Sequence, residues 1–158
     1  VLHDTDDAKL RHSTNGVREL RAAEIKEMLE DQVHALQQLL EIVRDQQFVL
    51  SEALIIDIHA TLTKTFRFYG AEARLIPRWR YKDLPNGVGR RDGLLHQFCL
   101  PSEVPAAMAG LVEMFDSHIS RASSLPDLVK GAWLHHRFME IHPFAHGNGQ
   151  AGRVLLSA

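Results

Sequence analysis

The 158-residue sequence has one cysteine, few aromatic residues and no long apolar run. Because Cys99 has no second cysteine to pair with, an intrachain disulfide is excluded, and the composition fits a reducing compartment such as the cytoplasm. No stretch approaches the length of a membrane-spanning helix, and no signal-peptide pattern opens the chain. With 18 basic and 20 acidic side chains, the net charge gives no reason to expect a nucleic acid or a membrane surface as partner.

The length fits one domain that can bury a sizeable core. Because the sequence begins with Val1 and stops at Ala158, within the apolar stretch RVLLSA, we expect it to be part of a longer protein. We divide it into an N-terminal segment, residues 1–17, and a domain over residues 18–158.

Apolar residues recur at helical spacing in several stretches, which predicts an all-α fold of four or five helices. The first stretch covers residues 18–44. Its predicted apolar stripe consists of Leu29, Val33, Leu36, Leu40 and Val43. The second helix follows Ser51, which is a suitable N-cap, and the third follows Ser102. The fourth begins near Pro126, and the last begins at Gln150.

Glycine and proline residues interrupt residues 70–101, where they disfavour a helix. Asp92-Gly93 predicts a turn that leads into a short strand within DGLLHQFCL, with RWRYK as the partner strand. We expect the basic residues of this region, Lys82 among them, to lie on a solvated loop surface. Attraction of a nucleotide or an acidic target is the alternative. His59, on the second predicted helix, is expected at the helix surface.

The segment HPFAHGNGQAGR, residues 142–153, has the features of an anion-binding loop. Gly147 and Gly149 flank Asn148, and glycine lets successive backbone N–H groups converge on one anion. The positive end of the following helix adds to this attraction. Arg153 follows on that helix, where its guanidinium could reach further phosphate groups.

His142 ends the helix before this loop and is a candidate general base. Phe144 is expected to point the other way and anchor the loop in the core. The alternative is a plain glycine-rich turn with a capping asparagine. The combination of a base, an anion-binding loop and an arginine at fixed offsets favours the functional interpretation.

These residues resemble the motif H-x-F-x-[D/E]-G-N-G-R-x-x-R of the Fic (filamentation-induced-by-cAMP) family. The matching positions are His142, Phe144, Gly147, Asn148, Gly149 and Arg153. Upstream, WLHHRFMEIHPF resembles the family's helix before the motif, and DGLLHQFCLPSEVPAAM resembles its flap hairpin and the next helix. The resemblance implies a compact, all-α Fic-type domain with a small β-hairpin flap.

Members of that family mostly transfer AMP from ATP to a hydroxyl side chain of a target protein. By resemblance, His142 would accept the proton of a target Ser, Thr or Tyr hydroxyl. Asn148 and the loop amides would hold the α-phosphate, and Arg153 would hold the outer phosphates. The target would add a strand to the flap residues His96, Gln97, Phe98, Cys99 and Leu100.

Two positions depart from the family motif. His146 replaces a carboxylate that coordinates Mg²⁺, and imidazole suits Mn²⁺, Zn²⁺ or Ni²⁺ better. Gln150 replaces the first arginine, so a nucleotide contact keeps hydrogen bonding but loses charge. We therefore expect a weakened AMP transferase that uses ATP and a divalent metal, Mg²⁺ or Mn²⁺, at His146. The alternatives are an inactive nucleotide- or protein-binding module and an enzyme with a different phosphate-containing donor.

The N-terminal segment corresponds to the region where many family members carry an inhibitory [S/T]-x-x-x-E-[G/N] segment. Aligning LRAAEI with the family's downstream helix puts Gly16 at the glutamate position, and Glu19 is the nearest acid. The resemblance thus implies that the inhibitory contact is absent or rebuilt. Assembly into a homo-oligomer stays open.

Overall fold

The computed structural model of the protein describes residues 22–45, 48–64 and 79–157. The predictions for residues 1–17, including Gly16, lie outside the described residues. The described helices are α1 (Ala22–Arg44), α2 (Glu52–Leu62), α3 (Val104–Met114), α4 (Asp127–Ile141) and α5 (Asn148–Leu156), and a hairpin joins β1 (Gly87–Gly89) to β2 (Leu95–Gln97). The predicted all-α fold with one small hairpin is confirmed.

Packing of α5 against α4 and α2 organises the core. Phe138 of α4, Leu155 of α5 and Ile55 of α2 are fully buried. A π-helical turn, Phe115–Ile119, extends α3. None of the described helices is long and apolar enough to cross a membrane.

The apolar stripe predicted for α1 is buried only in part, at Leu36 and Val43, which are half-buried. The buried residues of this helix are Ala35 and Leu39, whereas the side chains of Leu29, Val33 and Leu40 are exposed by 55%, 54% and 48%. Apolar residues occupy more than one side of α1, so their spacing alone does not identify the side that packs against α2.

The predictions for α2 and the start of α3 had different outcomes. The Ser51 hydroxyl accepts a hydrogen bond from the Leu54 N–H at 3.1 Å, so the predicted N-cap of α2 is confirmed. The helix predicted to follow Ser102 directly, α3, begins at Val104, and Glu103 is its N-cap. Pro105 lies in the first turn of α3, where its missing N–H costs no helical hydrogen bond.

The hairpin turn is where the sequence predicts it, but the strand partner is different. β2 pairs antiparallel with β1, placing Gly87 opposite Gln97 and Val88 opposite His96. The predicted partner RWRYK was therefore wrong. Gly93 has a φ of 79°, and the tight turn around it pairs β2 with the residues that immediately precede the turn.

Candidate active site

A six-residue turn, 142–147, reverses the chain between α4 and α5 and has a left-handed residue at each end. His142 has φ 52° and ψ 59°, and its N–H donates to the Phe138 carbonyl at 2.9 Å, which closes α4. Pro143 favours this ending because a following proline disfavours the right-handed helical conformation. Gly147, with φ 78°, is the N-cap of α5, which begins two residues before the predicted Gln150.

Asn148 fixes the shape of this turn from inside. Its side chain is 1% exposed, and its amide oxygen accepts from the Phe144 N–H at 2.9 Å. Its amide nitrogen donates to the Phe144 carbonyl at 2.7 Å, and the Asn86 amide donates to the same carbonyl at 3.0 Å. Because its side chain is engaged with the Phe144 peptide, Asn148 offers a ligand its backbone N–H.

Three further carbonyls of this region accept hydrogen bonds from buried residues. The Lys82 N–H donates to Pro143 at 2.8 Å, and the Lys82 ammonium donates to Ile141 at 3.5 Å. The Nε2 atom of His59 donates to the His146 carbonyl at 2.9 Å. These hydrogen bonds tie the turn and the end of α4 to buried residues of the protein interior.

The N-terminus of α5 is suited to an anion. Its first intrahelical hydrogen bond joins the Ala151 N–H to the Gly147 carbonyl at 3.0 Å. The N–H groups of residues 148–150 precede this bond, and glycine at the N-cap has no side chain to cap them. These donors and the helix dipole favour a phosphate group.

The two motif positions that follow on α5 lie side by side at a cleft. Gln150 is half-buried and Arg153 is exposed. Both line a cleft of about 310 Å³ together with Leu29, Val33 and Leu36 of α1. The α1 residues in this cleft include exposed members of the predicted stripe, so part of that stripe faces the candidate site.

His142 is half-buried beneath the flap. Its ring stacks on the ring of Phe98, with centroids 3.8 Å apart and planes 5° apart. Nδ1 is buried without a hydrogen-bond partner in the described structure. Burial lowers the pKa of His142, the nearby Met139 carbonyl opposes this effect, and the positive charge of Lys82 lowers the pKa further. The imidazole is therefore neutral at pH 7 and can accept a proton.

The predicted flap residues lie at different distances from His142 along the hairpin. Phe98 contacts it directly, while His96 meets the edge of the Phe98 ring at 5.1 Å. Gln97 and Leu100 are exposed, and Cys99 is half-buried, so that burial raises the pKa of its thiol. In the described part of the chain β1 is the one strand beside β2, which leaves the other edge of β2 for an added strand.

The prediction for His59 was wrong. This residue is fully buried, and its ring stacks on Phe144 with centroids 3.6 Å apart. Phe144 itself is fully buried, as expected, and anchors the turn. A signal was present in the sequence, because His59 follows Ile55 by four residues and precedes Leu62 by three, which places all three on one side of α2.

The prediction for Lys82 was also wrong. Its side chain is 5% exposed, whereas a solvated loop surface was expected. Burial lowers the pKa of Lys82, and Cys99 opposes this effect. No local pattern around residue 82 identifies this burial, because it results from contacts with Asn86 and with the α4–α5 turn.

Among the described residues, the predicted metal ligand His146 is not part of a larger group of metal-binding side chains. Across residues 22–45, 48–64 and 79–157, no group of three or more His, Cys, Asp or Glu residues could hold a metal ion. His146 has an exposed side chain and remains a single predicted ligand. One imidazole does not meet the preference of Mg²⁺ for several oxygen ligands.

Replacing Gly147 with alanine is expected to destabilise the turn. The added Cβ would lie 3.1 Å from Thr63 Cγ2 and 3.2 Å from His59 Nε2, at a φ of 78°. We expect the free energy of unfolding in urea to fall by roughly 1–3 kcal/mol, the usual cost of such a strained residue. Gly149→Ala is the matched control, because its Cβ would make an ordinary 3.5 Å contact with Arg153. Equal stability of the two variants would contradict the strain argument.

The sequence of this chain is similar to those of several known proteins. The model of the Fic/DOC family matches residues 49–158. A Fido domain-containing protein from Dictyostelium discoideum is 41% identical over 58 residues, which are 37% of this chain and 40% of that protein. A probable protein adenylyltransferase from Aquifex aeolicus is 27% identical over 110 residues, covering 70% of this chain and 29% of that protein. The chain thus spans less than half the length of either relative.

Solved structures share the fold. A Fic domain-containing signaling protein from Bacteroides thetaiotaomicron superposes with a TM-score of 0.74 at 25% identity, covering 94% of this chain and 52% of that one. A Fic family protein from Desulfovibrio desulfuricans superposes with a TM-score of 0.64 at 24% identity, covering 90% of this chain and 38% of that one. The second likeness concerns the fold alone.

Proposed function

Because this chain belongs to the Fic/DOC family, we propose that it transfers AMP from ATP to a hydroxyl side chain of a target protein. The observation that carries the proposal is the placement of His142, a neutral imidazole, at the start of the short turn whose other end leads into the N–H groups opening α5. The Aquifex relative, named a probable protein adenylyltransferase, supports the same reaction.

In the proposed reaction, His142 removes the proton from the target hydroxyl as its oxygen attacks the α-phosphorus of ATP. The buried position of Nδ1 makes Nε2 the accepting atom. The bond between the α-phosphorus and the bridging oxygen to the β-phosphate breaks, and pyrophosphate leaves with that oxygen. The products are an AMP ester of the target, pyrophosphate and a proton carried by His142.

The remaining site residues would stabilise charge and hold geometry. The N–H groups at residues 148–150 would face the α-phosphate, where negative charge must be stabilised during the transfer. Arg153, exposed beside the cleft, would contact the leaving pyrophosphate, and Gln150 would add hydrogen bonds without charge. A target strand added to β2 would bring its hydroxyl toward His142, whose ring plane is held by Phe98.

A binding module without turnover is the second candidate function. His146 at the acidic motif position favours it, because an imidazole is a poor ligand for Mg²⁺. An enzyme with another phosphate-containing donor is also compatible with Gln150.

The AMP transfer proposal predicts a nucleotide-sized increase in intact mass after incubation with ATP and Mg²⁺ or Mn²⁺. Nucleotide binding without any mass increase would favour the binding module, and labelling by another donor alone would favour the altered enzyme.

We expect the chain to transfer AMP to one of its own hydroxyl groups when no other target is present, and the rate of this self-modification should depend on pH through His142. Because burial lowers its pKa below the ordinary 6.5, the base form predominates at neutral pH and is lost as the pH falls through that lowered value. The initial rate should therefore be flat above about pH 7 and should fall in acid. Initial rates by mass spectrometry from about pH 5 to 8 would test this. A rate that keeps rising tenfold per unit above neutrality would contradict a neutral His142 base.

A further inference from the structure

We propose that Lys82 and Asn86 are positioning residues that join the base of the flap to the turn carrying His142, so that the general base and the target-binding strand keep one relative position. The catalytic consequence rests on the proposed function. The structural link itself is independent of it.

Lys82 lies in an unusual environment for a lysine. Lysine is seldom buried unless its charge is paired, yet Lys82 is 5% exposed and no ion pair among the described residues involves it. Its ammonium donates to two neutral acceptors, the Asn86 amide oxygen at 2.6 Å and the Ile141 carbonyl at 3.5 Å. The desolvation cost of this cation is therefore offset by contacts that orient Asn86 and the end of α4.

Asn86 immediately precedes β1 and makes contacts through both its side chain and its backbone. Its side-chain oxygen accepts from Lys82, and its side-chain nitrogen donates to the Phe144 carbonyl at 3.0 Å. Its backbone carbonyl accepts from the Phe98 N–H at 3.2 Å. Asn86 therefore contacts Lys82, the α4–α5 turn and, across the base of the flap, Phe98.

These contacts form a closed circuit. Lys82 binds Asn86, Asn86 binds the Phe98 backbone, and the Phe98 ring stacks on His142 at 3.8 Å. His142 directly follows Ile141, whose carbonyl accepts from Lys82. Because the circuit closes, a shift of the flap relative to the turn must break at least one of its contacts. A displacement of about 1 Å in such an arrangement can lower a reaction rate roughly a hundredfold.

The stacking of Phe98 on His142 provides a spectroscopic test that needs no activity. A ring stacked face to face shifts the ring protons of His142 upfield in NMR spectra, and Phe98→Leu gives the position without that effect. Well above the pKa of His142, where its ring is neutral in every variant, we expect Lys82→Met and Asn86→Ala each to move the His142 ring signals toward that position. Lys82→Arg, which keeps charged donors, should restore much of the shift. Lys130→Met is the matched control, since Lys130 contacts Asp127 at the start of α4.

The inference would be overturned if Lys82→Met and Asn86→Ala both fold and both keep the upfield His142 signals of the wild-type chain. If Lys82→Met does not fold, Asn86→Ala decides, because it leaves the lysine in place. Hydrogen exchange in the unmodified chain gives a further test that requires no variant. The Phe98 amide should be protected, and exchange at the rate of an open peptide would also overturn the inference.

The catalytic consequence is measured separately by self-modification with ATP. We expect both variants to lower kcat by roughly ten- to a hundredfold while KM for ATP stays within about twofold, because neither side chain contacts the N-terminus of α5. An unchanged kcat would show that the link does not position the base. If the wild-type chain transfers no group from any donor, the proposed function is wrong. The NMR signals would still test the structural link, because they do not depend on activity.

Discussion

Replacing His142 is expected to lower the rate of AMP transfer by roughly 10²- to 10⁴-fold, the usual contribution of a general base. Nucleotide binding should change little, because the N–H groups at residues 148–150 and the Arg153 side chain are retained. Intact mass after incubation with ATP reports the transfer, and calorimetry reports the binding. Alanine at a φ of 52° is strained, so His142→Asn should accompany His142→Ala, since asparagine tolerates this conformation.

His136→Ala is the matched histidine control for this experiment. Its ring is exposed on α4 and lies 3.5 Å from Glu140, away from the turn. We expect His136→Ala to transfer AMP at the same rate as the wild-type chain. If His142→Asn also kept that rate, His142 would not be the base. If His142 variants bound nucleotide normally and the unmodified chain showed no transfer, the binding module would be the better description.

Changing His146 to Asp and Gln150 to Arg together is expected to raise the Mg²⁺-supported rate about 10²-fold or more. His146→Asp adds a carboxylate that can hold Mg²⁺ beside the phosphates, and Gln150→Arg adds a positive charge that can pair with them. Stabilisation of transition-state charge by one such group is typically worth ~3 kcal/mol. The turn should tolerate both changes. His146 contacts His59 through its carbonyl, which the substitution keeps, and Gln150 already lines the cleft beside Arg153.

The single variants separate the two contributions. His146→Asp should act mainly on the dependence of the rate on Mg²⁺, whereas Gln150→Arg should lower KM for ATP with either metal. Adding His142→Asn to the double variant should remove the gain, which would show that it depends on the same base. A double variant that folds, binds ATP and still transfers nothing would mean that these two positions are not what limits the reaction.

Most of the fold was predicted from local features of the sequence, such as helix caps, turn residues and the spacing of apolar residues. Ser51 caps α2 because its hydroxyl reaches an N–H three residues away, and Gly93 marks the hairpin turn because its conformation requires glycine. The same reasoning placed α4 and the turn after His142. It failed on the buried side of α1, where several faces are apolar, and on the partner of β2. In both cases the answer depends on which surfaces meet.

By itself, the sequence determined the family, the mainly helical fold and the segment that carries the candidate site, because a motif and helical spacing are local properties of the chain. Only the tertiary structure decided what supports that segment. His59 reaches the His146 carbonyl across 87 positions of sequence, and the Lys82 ammonium reaches Ile141 across 59. Burial gives these side chains their roles, since a buried carbonyl or cation must find a partner inside the protein. No pattern of neighbouring residues specifies which partner that is.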